Sequence, residues 1–243
     1  MPMHDWTKVN SGLFHHFHQG WCWEMGASLN LEGVMPPYLS ALVEQRSGSK
    51  EPDVVAVELA EPDDFRSGVG GTALLERPKT RITRQADVEY YAGKANRVVI
   101  RHRLGKIVAF IEIVSPGNKD SAASLRQFVE KIAESLRKGV HVLVIDPFPP
   151  TPRDPFGIHK AIWDEIHVED FDLPADQNRI LASYEGDGVY TAFIETIGVG
   201  DVLPDMPLFI APGAHILVPL ESSYLAAWQK TPGSVRRLVE ATN

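Results

Sequence analysis

Near the amino end of the chain, apolar side chains recur at steps of three and four residues, which is the period of an amphipathic helix. The stripe consists of Phe14, Phe17, Trp21, Met25 and Leu29. Asn10 or Ser11 stands where a side chain can cap the first turn, and the Pro36-Pro37 pair ends the region. Residues 38–43 and 53–57 then predict two short strands.

Residues 107–114 form a run that is apolar at odd and at even positions, except at Glu112. Such a run predicts a strand that is covered on both faces. Burial disfavours an ionised carboxylate unless a partner compensates its charge. The pattern therefore predicts that a lysine, an arginine or a metal ion lies against Glu112, and it makes this residue the best functional lead in the chain.

A second helix and strand follow this run. The breaker 115–119 comes first, then an apolar stripe at helical spacing, and then Gly139, which can end a helix. The stripe consists of Leu125, Phe128, Val129, Ile132 and Leu136. Residues 140–145 predict the next strand, so strand, helix and strand form a parallel crossover. Residues 97–102 predict a hairpin partner for the strand that begins at Lys106.

The rest of the chain carries weaker patterns. Residues 58–80 are rich in Pro, Asp, Gly and Arg without a visible period, and they predict a long loop or insertion. Residues 148–176 allow no assignment. The last part predicts a hairpin from 179–183 and 189–194, irregular β structure over 204–219, and short helices over 222–228 and 234–240.

Composition restricts the class of protein. Of the 243 residues, 44% are hydrophobic and 23% are charged, as in soluble globular proteins, and no apolar stretch is long enough to span a membrane. No secretory signal is visible, and the single cysteine, Cys22, excludes an internal disulfide, so we expect a cytoplasmic protein. The net charge of −8 argues against broad, non-specific nucleic-acid binding but leaves a local basic groove open. A homodimer is compatible with these features.

The order helix, strand, Pro52-Asp53, strand with Glu112, helix and strand resembles the core of PD-(D/E)XK nucleases. Segments 53–57, 111–116 and 139–147 are similar to the Uma-type restriction-endonuclease-like family. The segments that resemble the bacterial domain of unknown function numbered 4058 are 112–119, the opening His15-His16-Phe17-His18, 203–208 and 220–224. The resemblance implies an α/β fold with a PD-(D/E)XK restriction-endonuclease-like mixed sheet flanked by helices. It implies a core in 1–150 with an insertion at about 58–96, and a β-rich C-terminal extension, 151–243, packed on the same domain.

Such a core hydrolyses phosphodiester bonds with the help of Mg²⁺ or Mn²⁺, so the resemblance implies a metal-dependent nuclease whose partner is nucleic acid. It implies Asp53 and Glu112 as metal ligands, with Asp87 as a competitor for the place of Asp53. The motif Glu-X-Lys would need a lysine at position 114, where Val114 stands. The third catalytic residue must therefore come from elsewhere in the chain.

Two lysines are candidates for that role. In Uma-type proteins the lysine lies on the following helix, eight residues before a Gly-Val pair, and Lys131 occupies this place before Gly139-Val140. Lys119, at the carboxyl end of the strand, is the alternative. Either ammonium group would orient the attacking water or offset the negative charge that develops in the transition state.

Two further interpretations stay open. The acidic balance, the missing lysine of the motif and the long insertion favour a binding or assembly module that keeps the fold without catalysis. His15, His18 and Cys22 have spacings that place them on one helix face, and imidazole with thiolate suits zinc. No fourth ligand is evident, so packing among aromatic neighbours is the favoured interpretation for these residues.

Overall fold

The structure is a computed structural model that describes residues 3–43, 79–86 and 105–240, together with the backbone of 54–58. The helices are α1 (Ser11–Leu29), α2 (Pro116–Lys119), α3 (Ala122–Arg137), α4 (Gly157–Trp163), α5 (Leu220–Lys230) and α6 (Gly233–Glu240), preceded by a single 3-10 turn (Trp6–Lys8). The strands are β1 (Leu39–Leu42), β2 (Val54–Glu58), β3 (Ile82–Ala86), β4 (Lys106–Ile113), β5 (His141–Asp146), β6 (Arg179–Glu185), β7 (Tyr190–Ile197), β8 (Met206–Ala211) and β9 (Ala214–Val218).

Within the described residues, seven strands form one mixed sheet in the order β1-β2-β4-β5-β6-β7-β3. Strands β4 and β5 are parallel, and the other neighbouring pairs are antiparallel. Helices α2 and α3 connect the two parallel strands, as the strand, helix, strand pattern predicts. Strands β8 and β9 pair with each other as an antiparallel hairpin outside this sheet.

The sheet lies between two hydrophobic layers. On one face, Ile111 and Ile113 of β4 pack in a core that also contains the apolar residues of α1, α5 and the β8–β9 hairpin. On the other face, Phe110 and Val114 pack with the stripes of α3 and α4. Because successive strand residues point to opposite faces, both faces of β4 are covered. The prediction of a doubly covered strand is confirmed.

The long periodic elements of the sequence form as predicted, including a mixed sheet flanked by helices. Asn10 caps α1 by accepting a hydrogen bond from the Leu13 N–H at 3.0 Å. Ser121 does the same for α3, accepting from the Ser124 N–H at 3.0 Å. Gly139 follows α3 with φ of +74°, a conformation that glycine adopts without strain. Local pattern and local capping chemistry therefore agree at both principal helices.

Three stretches contain structure that the sequence did not predict. Part of the presumed insertion at about 58–96 forms strand β3, which pairs with β7 at the edge of the sheet. The unassigned stretch 148–176 contains α4, and 204–219 contains the antiparallel β8–β9 hairpin, whose register shifts between Phe209 and Ala211. Strand β3 escaped prediction because its partner lies far away in the chain, so its stability depends on pairing rather than on a local period. The predicted strand 97–102 lies outside the described residues.

Strands from both sides of residue 150 belong to the same sheet, since β6 and β7 continue it beyond β5. The division into a core of 1–150 and an extension of 151–243 stays a prediction. Among the described helices, none is long and apolar enough to cross a membrane.

Candidate functional site

Glu112 lies near the carboxyl end of β4, opposite Val144 of the parallel strand β5. It shares its face of the sheet with Phe110 and Val114, so its side chain lies in the layer between the sheet and α3. The residue is 5% exposed. A carboxylate at this depth needs a charged or hydrogen-bonding partner, as the sequence predicted.

The partner is Lys131 of α3, whose ammonium group donates a hydrogen bond to Oε1 of Glu112. The side chain of Lys131 is 9% exposed and that of Glu112 is 6% exposed, so this is a buried ion pair. Nζ also lies 5.4 Å from the centroid of the Phe128 ring, within the range of a cation–π contact. The aliphatic stem of Lys131 thus crosses the apolar edge of α3 and delivers its charge to the strand.

Lys119 does not serve Glu112. Its Nζ contacts Oδ2 of Asp146 at 2.5 Å and Oδ2 of Asp154 at 2.8 Å, and it donates to the Pro149 carbonyl oxygen at 3.3 Å. We call the three charged side chains, Lys119, Asp146 and Asp154, the lysine–aspartate centre. Of the two lysines that the sequence analysis kept open, only Lys131 is brought to the candidate site within the described part of the chain.

The lysine–aspartate centre lies at the carboxyl ends of the two parallel strands. Burial raises the pKa of Asp146 to about 6, against the opposing effect of the Lys119 charge. Burial also lowers the pKa of Lys119, but the two carboxylates outweigh this effect and leave the pKa raised. Sequence reasoning treated Asp146 as the end of a strand and did not single out Asp154. The signal in the sequence was the place of Asp146 at the carboxyl end of a buried parallel strand, where α/β proteins often bind their ligands.

The predicted metal ligands Asp53 and Asp87 lie outside the described residues. Strand β2 begins at Val54, the residue after Asp53, and Val54 pairs with Ile111, the residue before Glu112. Glu112 offers a carboxylate oxygen, the donor type that Mg²⁺ and Mn²⁺ prefer. In the ranges that the structure describes, no group of three or more His, Cys, Asp or Glu side chains is placed to hold a metal. The donor type therefore fits a metal, while the described donors are too few to complete a site.

The histidine-rich turn of α1 shows no zinc geometry within the described residues. The rings of His15 and His18 are stacked with centroids 6.1 Å apart, and Nε2 of His18 lies 4.0 Å from Sγ of Cys22. A zinc ion would need nitrogen and sulfur ligands at little more than 2 Å from one point. His18 instead packs against Phe14, with ring centroids 5.9 Å apart.

No protein-family model, curated protein or solved structure matches the chain. The chemistry of the candidate site therefore follows from its own geometry. Two buried charged centres lie near the carboxyl ends of the parallel strands: the Glu112–Lys131 pair, and the lysine–aspartate centre. The first is the one that the sequence predicted, and the second emerges from the tertiary structure.

Proposed function

We propose that the chain is a PD-(D/E)XK-like, divalent-metal-dependent phosphodiesterase that acts on nucleic acid and is related to the Uma-type and 4058 families. The observation that carries the proposal is the buried contact between Lys131 and Glu112. The resemblance implied a lysine displaced from position 114 to the following helix, and Lys131 meets Glu112 from that helix.

The order of the elements supports the same proposal. Helix α1, strands β1, β2 and β4, helix α3 and strand β5 occur in the chain order that the resemblance implied, with β3 between β2 and β4 and with α2 before α3. Strands β1, β2 and β4 are antiparallel neighbours, and β5 is parallel to β4. Fold alone does not establish an activity. Any activity of this fold depends on its side chains, here those of Glu112 and Lys131.

Each residue has a separate task in this proposal. Glu112 would hold the metal through a carboxylate oxygen, and the resemblance implies Asp53 as its companion ligand. When bound, the metal would supply Lewis-acid chemistry and a water of lowered pKa. Lys131 orients the Glu112 carboxylate and places a positive charge in a low-dielectric layer, where an ammonium group stabilises developing negative charge more than it would in water.

One observation favours a second candidate, a binding or assembly module without catalysis. The Glu112 side chain is only 6% exposed and its charge is already compensated by Lys131. A buried ion pair of this kind can specify the packing of a helix on a sheet without any ligand. In this alternative the pair is a structural remnant of the site.

Cleavage of single- and double-stranded DNA and RNA with Mg²⁺ or Mn²⁺ distinguishes the two candidates. We expect the wild-type protein to cleave at least one of these substrates. Glu112→Gln and Lys131→Met should each lower the rate by about 100-fold or more, the usual effect of removing one transition-state electrostatic contact. Glu130→Gln, one residue away on the exposed face of α3, is the matched control and should leave the rate unchanged.

The alternative makes the opposite prediction for the same experiment. If the wild-type protein cleaves none of the four substrates and its thermal unfolding midpoint does not change with Mg²⁺ or Mn²⁺, the nuclease proposal is wrong. Equal activity of Glu112→Gln and the wild type would also reject it, because it would place any cleavage outside this site.

A further inference from the structure

All three side chains of the lysine–aspartate centre are buried. The side chains of Lys119, Asp146 and Asp154 are exposed by 4%, 1% and 0%. They come from three separate parts of the chain: the end of α2, the end of β5 and the loop before α4. Both aspartates direct an Oδ2 atom to the same ammonium nitrogen. One positive charge thus faces two negative charges in the buried interior.

The surrounding charges do not remove this imbalance. Arg179 of β6 interacts electrostatically with Asp146, but its guanidinium group is itself paired with Asp5, at 3.3 Å. Arg153 is exposed and donates to the Lys119 carbonyl oxygen at 3.1 Å rather than to a carboxylate. Two buried carboxylates that share a site seldom both stay ionised, because each charge raises the cost of the other.

Hydrogen bonds decide which aspartate keeps its charge. Oδ1 of Asp154 accepts from both the N–H and the hydroxyl group of Thr151. Oδ1 of Asp146 accepts from the Phe148 N–H, at 3.1 Å. Hydrogen bonds to a carboxylate favour its ionised form, so Asp146, whose Oδ1 accepts one such bond where that of Asp154 accepts two, is the group that takes up the proton.

We propose that Lys119, Asp146 and Asp154 form a buried proton-binding centre, which takes up one proton on Asp146 between neutral and mildly acidic pH. The centre then consists of one ammonium, one carboxylate and one neutral carboxyl group, and it carries no net charge. The proton comes from solvent and no bond other than the new O–H bond is made. This role is independent of the proposed nuclease activity, since it uses none of the residues assigned to the Glu112 site.

The centre makes the junction between β4 and α3 sensitive to pH. Lys119 ends α2, which directly follows the strand that carries Glu112 and precedes the helix that carries Lys131. The raised pKa of Asp146, about 6 because of burial, means that the folded state binds this proton more tightly than the unfolded chain does. The contribution of Asp146 to stability is therefore fully present below its ordinary pKa of 3.8, and it is lost as the pH rises through about 6.

A carboxyl ¹³C NMR titration of the full chain from about pH 3 to about pH 8 tests the proposal. We expect the Asp146 resonance, assigned by its loss in Asp146→Asn, to titrate with a midpoint above about 5. Asp154→Asn should lower this midpoint because it removes the second negative charge, whereas Lys119→Gln should raise it because it removes the cation. Asp164→Asn, an exposed aspartate paired with Lys160, is the matched control and should leave the midpoint unchanged.

A wild-type midpoint near the ordinary value of 3.8 would overturn the proposal, and so would shifts of the same sign in Asp154→Asn and Lys119→Gln. If either variant fails to fold, the wild-type titration decides by itself. Failure of the nuclease assay has no bearing on this result, so the two proposals can be rejected separately.

Discussion

Replacement of Lys131 by methionine tests the physical basis of the candidate site. Methionine keeps an unbranched apolar stem against Phe128 but removes the ammonium group that compensates Glu112. Because both side chains of the pair are less than a tenth exposed, Glu112 would be left as a buried charge without this cation. Breaking a buried pair in this way costs about 3–5 kcal/mol of the free energy of unfolding.

The double variant Glu112→Gln/Lys131→Met separates the cost of the stranded charge from the value of the pair itself. A neutral amide beside methionine no longer carries a buried charge, so most of the loss should be recovered. Urea-induced unfolding of the four proteins, analysed by linear extrapolation, gives the four free energies of this cycle. Arg126→Met is the matched control on the same helix, because its ion pair with Glu130 is exposed, by 76% and 54%, and its removal should cost no more than about 0.5 kcal/mol.

Two results would refute this reasoning. A loss below about 1 kcal/mol for Lys131→Met would mean that the pair behaves like a surface salt bridge. A double variant as unstable as the sum of the two single variants would mean that the two side chains do not interact energetically.

Three further predictions concern other parts of the fold. Burial lowers the pKa of His4 from its ordinary 6.5 to about 4, and Nδ1 of His4 contacts the Tyr224 hydroxyl group at 2.7 Å. The stability that neutral His4 contributes should therefore be present above pH 6.5 and lost as the pH falls through about 4. Thermal unfolding of the wild type and of His4→Gln as a function of pH checks this, and equal profiles would contradict it. The Asn30 side-chain amide donates to the Ala41 carbonyl oxygen at 2.7 Å and accepts from the Ala41 N–H at 3.0 Å, on the edge strand β1. Asn30→Ala should therefore cost about 1–3 kcal/mol of the free energy of unfolding and promote concentration-dependent association in sedimentation experiments. A monodisperse variant of wild-type stability would show that Asn30 does not protect this edge. A Cβ on Gly186 would lie 2.7 Å from the backbone carbonyl oxygen of Val140, so Gly186→Ala should lose about 1–3 kcal/mol in urea unfolding. Gly117→Ala is the control and should stay within about 0.5 kcal/mol, because its Cβ would lie 3.7 Å from the Ser115 hydroxyl oxygen, an ordinary van der Waals distance. Equal losses in the two variants would contradict the predicted clash at Gly186.

Local spacing of apolar side chains is enough to predict the elements that carry a strong period. The stripes of α1 and α3 and the doubly covered strand β4 follow from which side chains are apolar and how far apart they stand. Asn10 and Gly139 mark helix ends through their own capping chemistry. The expectation of a cation beside Glu112 also follows from the sequence alone, because the cost of burying a carboxylate depends on its burial and not on which residue is the partner. The sequence could therefore predict the need for a partner from a single strand.

Which charged groups contact each other depends on the packing of distant segments. Lys119 stands closer to Glu112 in the chain, yet it pairs with Asp146 and Asp154, while Lys131 reaches Glu112 from the helix that covers the strand. Strand β3 likewise depends on a partner more than a hundred residues away. The physical reason is common to these cases: periodicity sets the face on which a side chain lies, but the distances between charges follow from how helices, loops and distant strands pack across that face.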